Sequence, residues 1–551
     1  MKFFRLLLAE AGLDEWRLVA SVVGAGVAMA TMMVIVNSVA DLKGDLSVDW
    51  RQLLLFVLCA LVVISLNVYA LNLTTLLSER MVGRIRVRAA DLVRRSELDG
   101  LEQVGAVRVY DTIARETTVI SSSAIFVILP LVALVALTLA AIYIAFISLL
   151  AFLVVVGLLG AWVYFYHPSQ RTTYGVMMEA KRAEARFFEL LSHLLYGFKE
   201  IKLHGPRGDS LEKVHLANAS LETEHRNIVT ARAFGRGFAL SYTLFYMLLG
   251  AAVFALPQHL GDARTAMKLV YVVIFMFTSV EGVVRSLPVL AKINMAFDKI
   301  DELETLLVKT ARTPAQTGQA PPESFETIVL DGVVYTYRAA EGDVLDGSTP
   351  VGAATFTLGP CDLTIAAGRM YFIVGGNGSG KSTLTRIVTR LYPPAAGAIL
   401  WDGKLVDDSN VERYRSLFSA VYADFHLFDR LYGMEGVEPE RVRALLADVG
   451  LGHKVAYDDG RFSTTALSTG QRKRLALVVA LIEDRPIYVL DELSADQDPA
   501  FRKRYYEEIL PALKARGKTL IVVSHDDRYF GLADEVVVVT DGKFKNGAEA
   551  T

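Results

Sequence analysis

Arg369–Tyr392 reads "RMYFIVGGNGSGKSTLTRIVTRLY". Through Val374 it is an apolar run with aromatic and β-branched members, the composition of a buried strand. From Lys381 onward apolar residues recur at three- and four-residue spacing without Pro or Gly, which predicts a helix. Between the two, Gly375–Ser382 matches G-x-x-x-x-G-K-[ST] without a gap, and a strand before it with a helix after it is the context that gives the match meaning. Gly375, Gly376, Gly378 and Gly380 let backbone N–H groups curl around phosphates, with Asn377, Ser379 and Thr383 in the same cradle. Lys381 reaches the outer phosphates, and the Ser382 hydroxyl can ligate Mg²⁺.

Downstream, "PIYVLDE" at Pro486–Glu492 and "TLIVVSH" at Thr519–His525 read as two further strands. They end on Asp491 and Glu492, and on His525. Asp491 suits the Mg²⁺ shell, and Glu492 suits a base for an attacking water. His525 can bond a γ-phosphate or hold the geometry of Glu492 and its water. Upstream of these, "ALSTGQRKRLAL" at Ala466–Leu477 leads Ser468, Gly470 and Gln471 into a helix whose first N–H groups are free to face an anion. One chain therefore carries two phosphate-binding elements. Short strands alternating with helices make this an α/β domain, expected over residues 325–551.

The other half of the chain is built for lipid. Hydrophobic residues make up 53% of the 551, and mean hydropathy is +0.36. Apolar runs predict six membrane-spanning helices at about 18–40, 53–75, 122–141, 143–166, 235–257 and 268–290, since a crossing takes roughly 20 apolar residues. Thr117–Gln170 holds no Asp, Glu, Lys or Arg at all, too long for one crossing and enough for two joined by a tight turn. Core helices of a soluble protein rarely reach such lengths. Glu281 and Arg285 interrupt the last span; four apart on one helix face, they are expected to pair toward a central cavity and meet a polar substrate.

Eight arginines lie from Arg80 to Arg115, and ten Lys or Arg from Arg171 to Arg232. Asp41–Arg51 holds only Lys43 and Arg51, and Gly261–Ala266 only Arg264. The basic excess marks the cytoplasmic side, which places both termini in the cytoplasm. The two basic segments read as long helical extensions of the spans that reverse near Glu97–Gly105 and at the turn signal His204–Gly208. The transmembrane domain is thus expected over 1–309, followed by a Pro- and Gly-rich linker at 310–324.

A net charge of −3 gives no reason to expect nucleic acid. The two cysteines, Cys59 and Cys361, fall in different domains and read as packing. No secretory cleavage signal is visible, and Met1–Gly12 reads as a short amphipathic segment.

The order and spacing of Gly375–Thr383, Leu467–Gln471, Asp491-Glu492 and His525 resemble the ATP-binding cassette superfamily. Six spans with long cytoplasmic loops before them look like a half-size exporter. "FSAVYADFHLFD" at Phe418–Asp429, "LSTGQRKRLAL", "ADQDP" at Ala495–Pro499 and "SHDDRYF" at Ser524–Phe530 resemble more narrowly the cyclic-peptide and siderophore exporters, which include pyoverdine and microcin exporters. The resemblance implies that Tyr337 stacks on adenine and that Asp498 belongs to the loop linking two nucleotide sites. It implies a Gln at the place of Ala423, and this departure puts the usual coupling contact in question, with Asp424 beside it. It further implies that the LSTGQ element faces the cradle of a second cassette, so that a homodimer, or a heterodimer with a similar half, sandwiches each ATP. The implied activity is ATP hydrolysis coupled to export of a modified peptide or siderophore across a bacterial inner membrane. A lipid or drug flippase and an ATP-gated channel or sensor are the alternatives.

Overall fold

The computed structural model describes residues 12, 15–39, 50–255, 263–311, 322–337 and 356–546. The segment Met1–Gly12 apart from its last residue, most of the linker, residues 41–49 of the loop at Asp41–Arg51 and residues 261–262 of that at Gly261–Ala266 lie outside them. The chain divides into two units, Met1–Ala89 with Tyr110–Leu303, and Ala90–Val109 with Glu304–Thr551.

The first unit is helical. Its segments are α1 (Glu15–Val39), α2 (Trp50–Arg95), α4 (Ala106–Ser123), α5 (Ile125–Ile147), α6 (Leu149–Tyr196), α7 (Phe198–Leu203), α8 (Gly205–Ser210), α9 (Ala217–Gly250) and α10 (Ala263–Thr310); α2, α4 and α10 run into the second unit, where α3 (Leu98–Val104) lies. A π-helical turn at Leu211–Leu216 joins α8 to α9. Five helical stretches among the described residues are long and apolar enough to cross a membrane, and Leu149–Trp162 is a shorter apolar one. Leu54, Leu58, Leu61 and Ile64 of α2 are exposed, as side chains facing lipid must be. The helices α2, α6 and α10 contain 46, 48 and 48 residues. At 1.5 Å per residue each is about 70 Å long, more than twice a hydrocarbon core.

Small residues set the helix approaches. A Cβ on Gly26 of α1 would stand 2.6 Å from Val135 of α5, so only Gly permits that crossing. Asn37 donates to the Tyr143 hydroxyl at 3.2 Å, and Trp162 Nε1 donates to Ser241 Oγ at 2.9 Å. The pair expected on the last span is present: Arg285 and Glu281 are 2.6 Å apart. Tyr242 of α9 donates to the same carboxylate at 3.1 Å.

Two local expectations shift. The helix breaks at Ser148, not between 141 and 143, so Tyr143–Ile147 belong to α5; Ser148 is extended and its side chain caps α6 by accepting from the Ala151 N–H. At His204–Gly208 a helix stops as expected, with His204 as its C-cap, and a second one starts at once. The His204 side chain accepts from the Arg207 N–H, and Pro206 sits in the first turn, where its missing N–H costs nothing. A further break, which the pattern did not mark, lies at Gly197, so that Gly197 and His204 flank α7.

In the second unit the strands are β1 (Thr327–Thr336), β2 (Thr357–Ala366), β3 (Met370–Val374), β4 (Ala396–Trp401), β5 (Lys404–Leu405), β6 (Phe418–Val421), β7 (Tyr457–Asp458), β8 (Arg461–Phe462), β9 (Ile487–Asp491), β10 (Thr519–Val523), β11 (Glu535–Thr540) and β12 (Lys543–Asn546). One sheet has the order β2-β1-β4-β5 and is antiparallel; the other runs β12-β11-β3-β10-β9-β6 and is parallel except at β12. All five residues of β3, β9 and β10 are buried, as central parallel strands covered on both faces require. Three helices matter below: α11 (Lys381–Val388), α12 (Thr469–Glu483) and α13 (Pro499–Arg504).

Candidate functional site

The parallel pairing of β3, β10 and β9 brings three distant segments together. Val523 is opposite Ile373 on one side and Asp491 on the other. The chain that leaves each strand's carboxyl end therefore meets the others there, the place where open α/β sheets bind ligands. After β3 come Gly375–Gly380, after β9 Glu492, after β10 His525.

The cradle's glycines are dictated by space. Gly375 has φ +154° and a Cβ there would sit 2.1 Å from the Val539 carbonyl oxygen; Gly380 has φ +110° and a Cβ would sit 2.3 Å from Leu358. Side chains are excluded on both counts. Gly376, Asn377 and Gly378 are exposed and Ser379 is buried. Lys381 opens α11 and is buried; its ammonium donates to the carbonyls of Gly375 at 3.1 Å and Gly376 at 2.9 Å. Thr383 shares a 3.0 Å hydrogen bond with the hydroxyl of half-buried Tyr337. Tyr335, the other aromatic of the stretch, is buried, stacked on Tyr392 at 4.7 Å and 10°, and its hydroxyl donates to Asp99. Its face is taken, which leaves Tyr337 as the aromatic of this stretch at the cradle, with the Phe356 ring 6.2 Å from it and against Gly380.

Asp491 is buried, and its Oδ1 has no hydrogen-bond partner. Burial pushes this carboxyl above the ordinary aspartate range, as does the Glu492 charge; the Ser382 hydroxyl and the Ala423 N–H beside it pull the other way. Glu492 adopts φ +51°, a conformation a side-chain-bearing residue holds only when its surroundings impose it. Its N–H donates to the Val523 carbonyl and its carboxylate lies 3.3 Å from His525 Nε2.

Ser468, Gly470, Gln471 and Asp498 form a second cluster. Ser468 and Thr469 are exposed at the start of α12. The Gln471 side chain accepts from the Ser468 N–H at 3.3 Å. A Cβ on Gly470 would lie 2.4 Å from the Asp496 carbonyl oxygen. Asp498 caps α13, accepting from the Phe501 N–H at 2.9 Å, and pairs with Arg474. Among the described residues no hydrogen bond or ion pair joins Ser468–Gln471 to the cradle.

Residues 358–495 match the ABC transporter family. ATP-binding protein SyrD of Pseudomonas syringae pv. syringae is 33% identical over 482 residues, 84% of this chain and 82% of the relative. The chain belongs to the ATP-binding cassette exporters. The ATP-dependent lipid A-core flippase of Haemophilus ducreyi is 26% identical over 368 residues, 64% of this chain and 60% of the flippase. A solved bacterial Atm1-family ABC exporter with ATP bound shares the fold: TM-score 0.79 at 18% identity, covering 97% of this chain and 95% of that one. The protein is accordingly a multi-pass membrane half-exporter whose cassette binds and hydrolyses ATP to drive transport.

The exporter's two clusters are joined by residues that sequence reasoning missed. The buried ammonium of Lys473 donates to the carbonyls of Glu492 at 2.9 Å and Ala495 at 3.2 Å, and to Asp496 at 3.2 Å. Arg474 Nε donates to Gln497 at 2.9 Å, and Gln497 donates to the Gly470 carbonyl at 2.9 Å. A signal existed. Lys473 precedes Leu477 and Ala480 by four and seven residues on the buried face of α12, and a charge on a core-facing stripe needs partners.

Proposed function

We propose that two copies of this chain form a homodimer in which each ATP lies between the cradle of one copy and Ser468–Gln471 of the other. The observation that carries this is the exposure of Ser468 and Thr469, with no bond to the same chain's cradle among the described residues. A helix N-terminus open at the surface suits an anion brought by another molecule. In this reading Tyr337 stacks on adenine. The N–H groups of Gly375, Gly376, Asn377, Gly378, Ser379 and Gly380 surround the phosphates, with Lys381 and Thr383 closing the cradle. Ser468, Gly470 and Gln471 hold the γ-phosphate from across the interface, and Asp498 steadies the linking loop.

Ser382 and Asp491 fit Mg²⁺. The orphaned buried Oδ1 of Asp491 is a hard oxygen in need of a cation. When bound, the metal neutralises charge on the β- and γ-phosphates. Glu492 takes the proton of the attacking water, and His525 orients the Glu492 carboxylate. ATP drives transport only by favouring the closed dimer over the open one.

The basic segments Arg80–Arg115 and Arg171–Arg232 support an inner-membrane orientation with cytoplasmic termini. The apolar runs and the Pro- and Gly-rich stretch after them support a membrane domain over 1–309, a linker over 310–324 and a cassette over 325–551. The exporter family sets the ATP-gated channel aside. For substrate we favour a cyclic or modified peptide or a siderophore-like compound, on the strength of "ADQDP" and "SHDDRYF". A second reading, lipid flipping, is favoured by the relation to lipid A-core flippases.

Complementary lesions test the shared site. Lys381→Ala and Ser468→Arg chains, each inactive alone, are mixed and reconstituted into liposomes. Shared sites leave one intact site per mixed dimer, and ATPase activity returns in part; no return overturns the dimer reading. In inverted vesicles, ATP-dependent accumulation of a cyclic peptide supports the first substrate class, and redistribution of a fluorescent lipid without it supports the second.

A further inference from the structure

The segment Ser96–Val109, at the reversal between α2 and α4, rests on the cassette of its own chain. Three acids take part. Glu97 pairs with Arg415 at 2.5 Å. Asp99 accepts from Tyr335 at 2.9 Å. Glu102 accepts from the Tyr392 hydroxyl at 2.5 Å and lies 3.7 Å from Arg386. The Glu97 N–H donates to the Thr310 carbonyl, and a Cβ on Gly100 would stand 2.4 Å from Thr310. The reversal thus sits tightly against the chain that enters the cassette.

Arg386 differs from the other contacts in having two acids to choose between. It lies on α11, four residues after Ser382, so the helix carries it as a rigid continuation of the cradle. Its guanidinium is 2.7 Å from Asp424 and 3.7 Å from Glu102, and only 17% of the side chain is exposed. Asp424 follows Ala423, whose N–H faces Asp491. Ala423 has no side-chain donor, so a link from Asp491 outward passes through its backbone and its neighbour. Both carboxylates are well exposed, 67% at Asp424 and 42% at Glu102. Such pairs add little to stability. Here they hold two nitrogens of one half-buried planar donor, Nη2 close to Asp424 and Nη1 farther from Glu102, so the group has a second acid within reach of a small displacement. A shift of α11 or of the Ala423 loop that lengthens the Asp424 bridge leaves Glu102, 3.7 Å away, as the acid Arg386 can turn to.

We propose that Arg386 is the positioning residue that carries nucleotide occupancy to the hairpin, exchanging Asp424 for Glu102 as the cradle and Asp491 engage ATP and metal. Resting on the ATP reading of Gly375–Thr383, the inference gives this exporter a side-chain route from phosphate to reversal that does not need a Gln at 423. Tyr392 supports the route, since its hydroxyl accepts from Arg386 at 2.7 Å while donating to Glu102.

The test uses the full chain in nanodiscs, with Glu492→Gln to retain ATP. Hydrogen exchange of residues 97–105 is followed with and without ATP, and fluorescent TNP-ATP reports binding. The parent should show an ATP-dependent change in exchange over 97–105. Arg386→Met should bind TNP-ATP within about threefold of the parent and lose that change; Arg386→Lys, which keeps the charge, should recover part of it. Because Arg386→Met loses packing on Tyr392, Glu102→Gln approaches the bridge from its exposed end. It should lose the change as well. A general structural defect would alter exchange without ATP and would not follow the charge. If either neutral variant binds TNP-ATP and keeps the full ATP-dependent change, the route is wrong. If the parent fails to bind TNP-ATP, it is the nucleotide reading that falls.

Discussion

Replacing Lys473 with Met keeps most of the stem and removes the hub between α12 and the segment after β9. The ammonium makes three hydrogen bonds, to the carbonyls of Glu492 and Ala495 and to Asp496. Hydrogen bonds to charged groups contribute about 1.5–3 kcal/mol each. The Asp496 bond is discounted, because that side chain is 58% exposed. The two carbonyl bonds then sum to roughly 3–6 kcal/mol, and release from burying the ammonium offsets part of this. The net expectation is a loss of about 3 kcal/mol, or a melting-temperature drop of roughly 6–12 °C for a domain of this size. Activity should fall further than stability. The Glu492 backbone is held at φ +51°, and without the bond to its carbonyl it relaxes. Misplacing a reacting group by about 1 Å costs on the order of 100-fold in rate. The assay is thermal unfolding and steady-state ATPase of the full chain in nanodiscs, with TNP-ATP binding to show that the cradle is intact. Lys503→Met, an exposed pair with Glu507, is the control and should cost about 0–1 kcal/mol. An unchanged melting temperature together with an unchanged kcat in Lys473→Met would refute the hub.

Two further outcomes are expected. Tyr337→Phe loses one neutral hydrogen bond to Thr383 and should weaken ATP binding by no more than about fivefold, whereas Tyr337→Ala loses the ring, worth about 1–3 kcal/mol of stacking; equal affinity in all three by TNP-ATP titration would move the stacking role away from Tyr337. Asp498→Ala removes the cap of α13 and should destabilise the cassette by about 0.5–2 kcal/mol near neutral pH. The Phe501 N–H and, with burial opposing, Arg474 hold the Asp498 carboxyl below the ordinary range, so its stabilisation is present above about pH 3.9 and is lost as pH falls through the lowered value. Melting curves of the two proteins should therefore converge in acid; a gap that stays constant would deny the carboxylate its part.

Contiguous patterns carried the sequence reading. A membrane span is a run of apolar residues and a phosphate cradle is a run of glycines ending in Gly-Lys-Ser, so both are legible without knowing what lies beside them. The physical reason is that bilayer insertion and close approach of backbone to phosphate depend on residues adjacent in the chain. The break at Ser148 lies in an apolar run with neither Gly nor Pro to mark it, and the helix start after His204 is hidden because Gly and Pro serve turns and first helical turns alike. Only the His204 side chain, bonded to the Arg207 N–H, decided between them. Tertiary structure alone showed that Tyr335 is spent on Tyr392 and Asp99. It alone joined Lys473 to Glu492 and Arg386 to both Asp424 and Glu102. The bond from Glu97 to Arg415 spans 318 residues of chain, and no local pattern encodes a contact that exists only after the strands have paired and the hairpin has settled on the cassette.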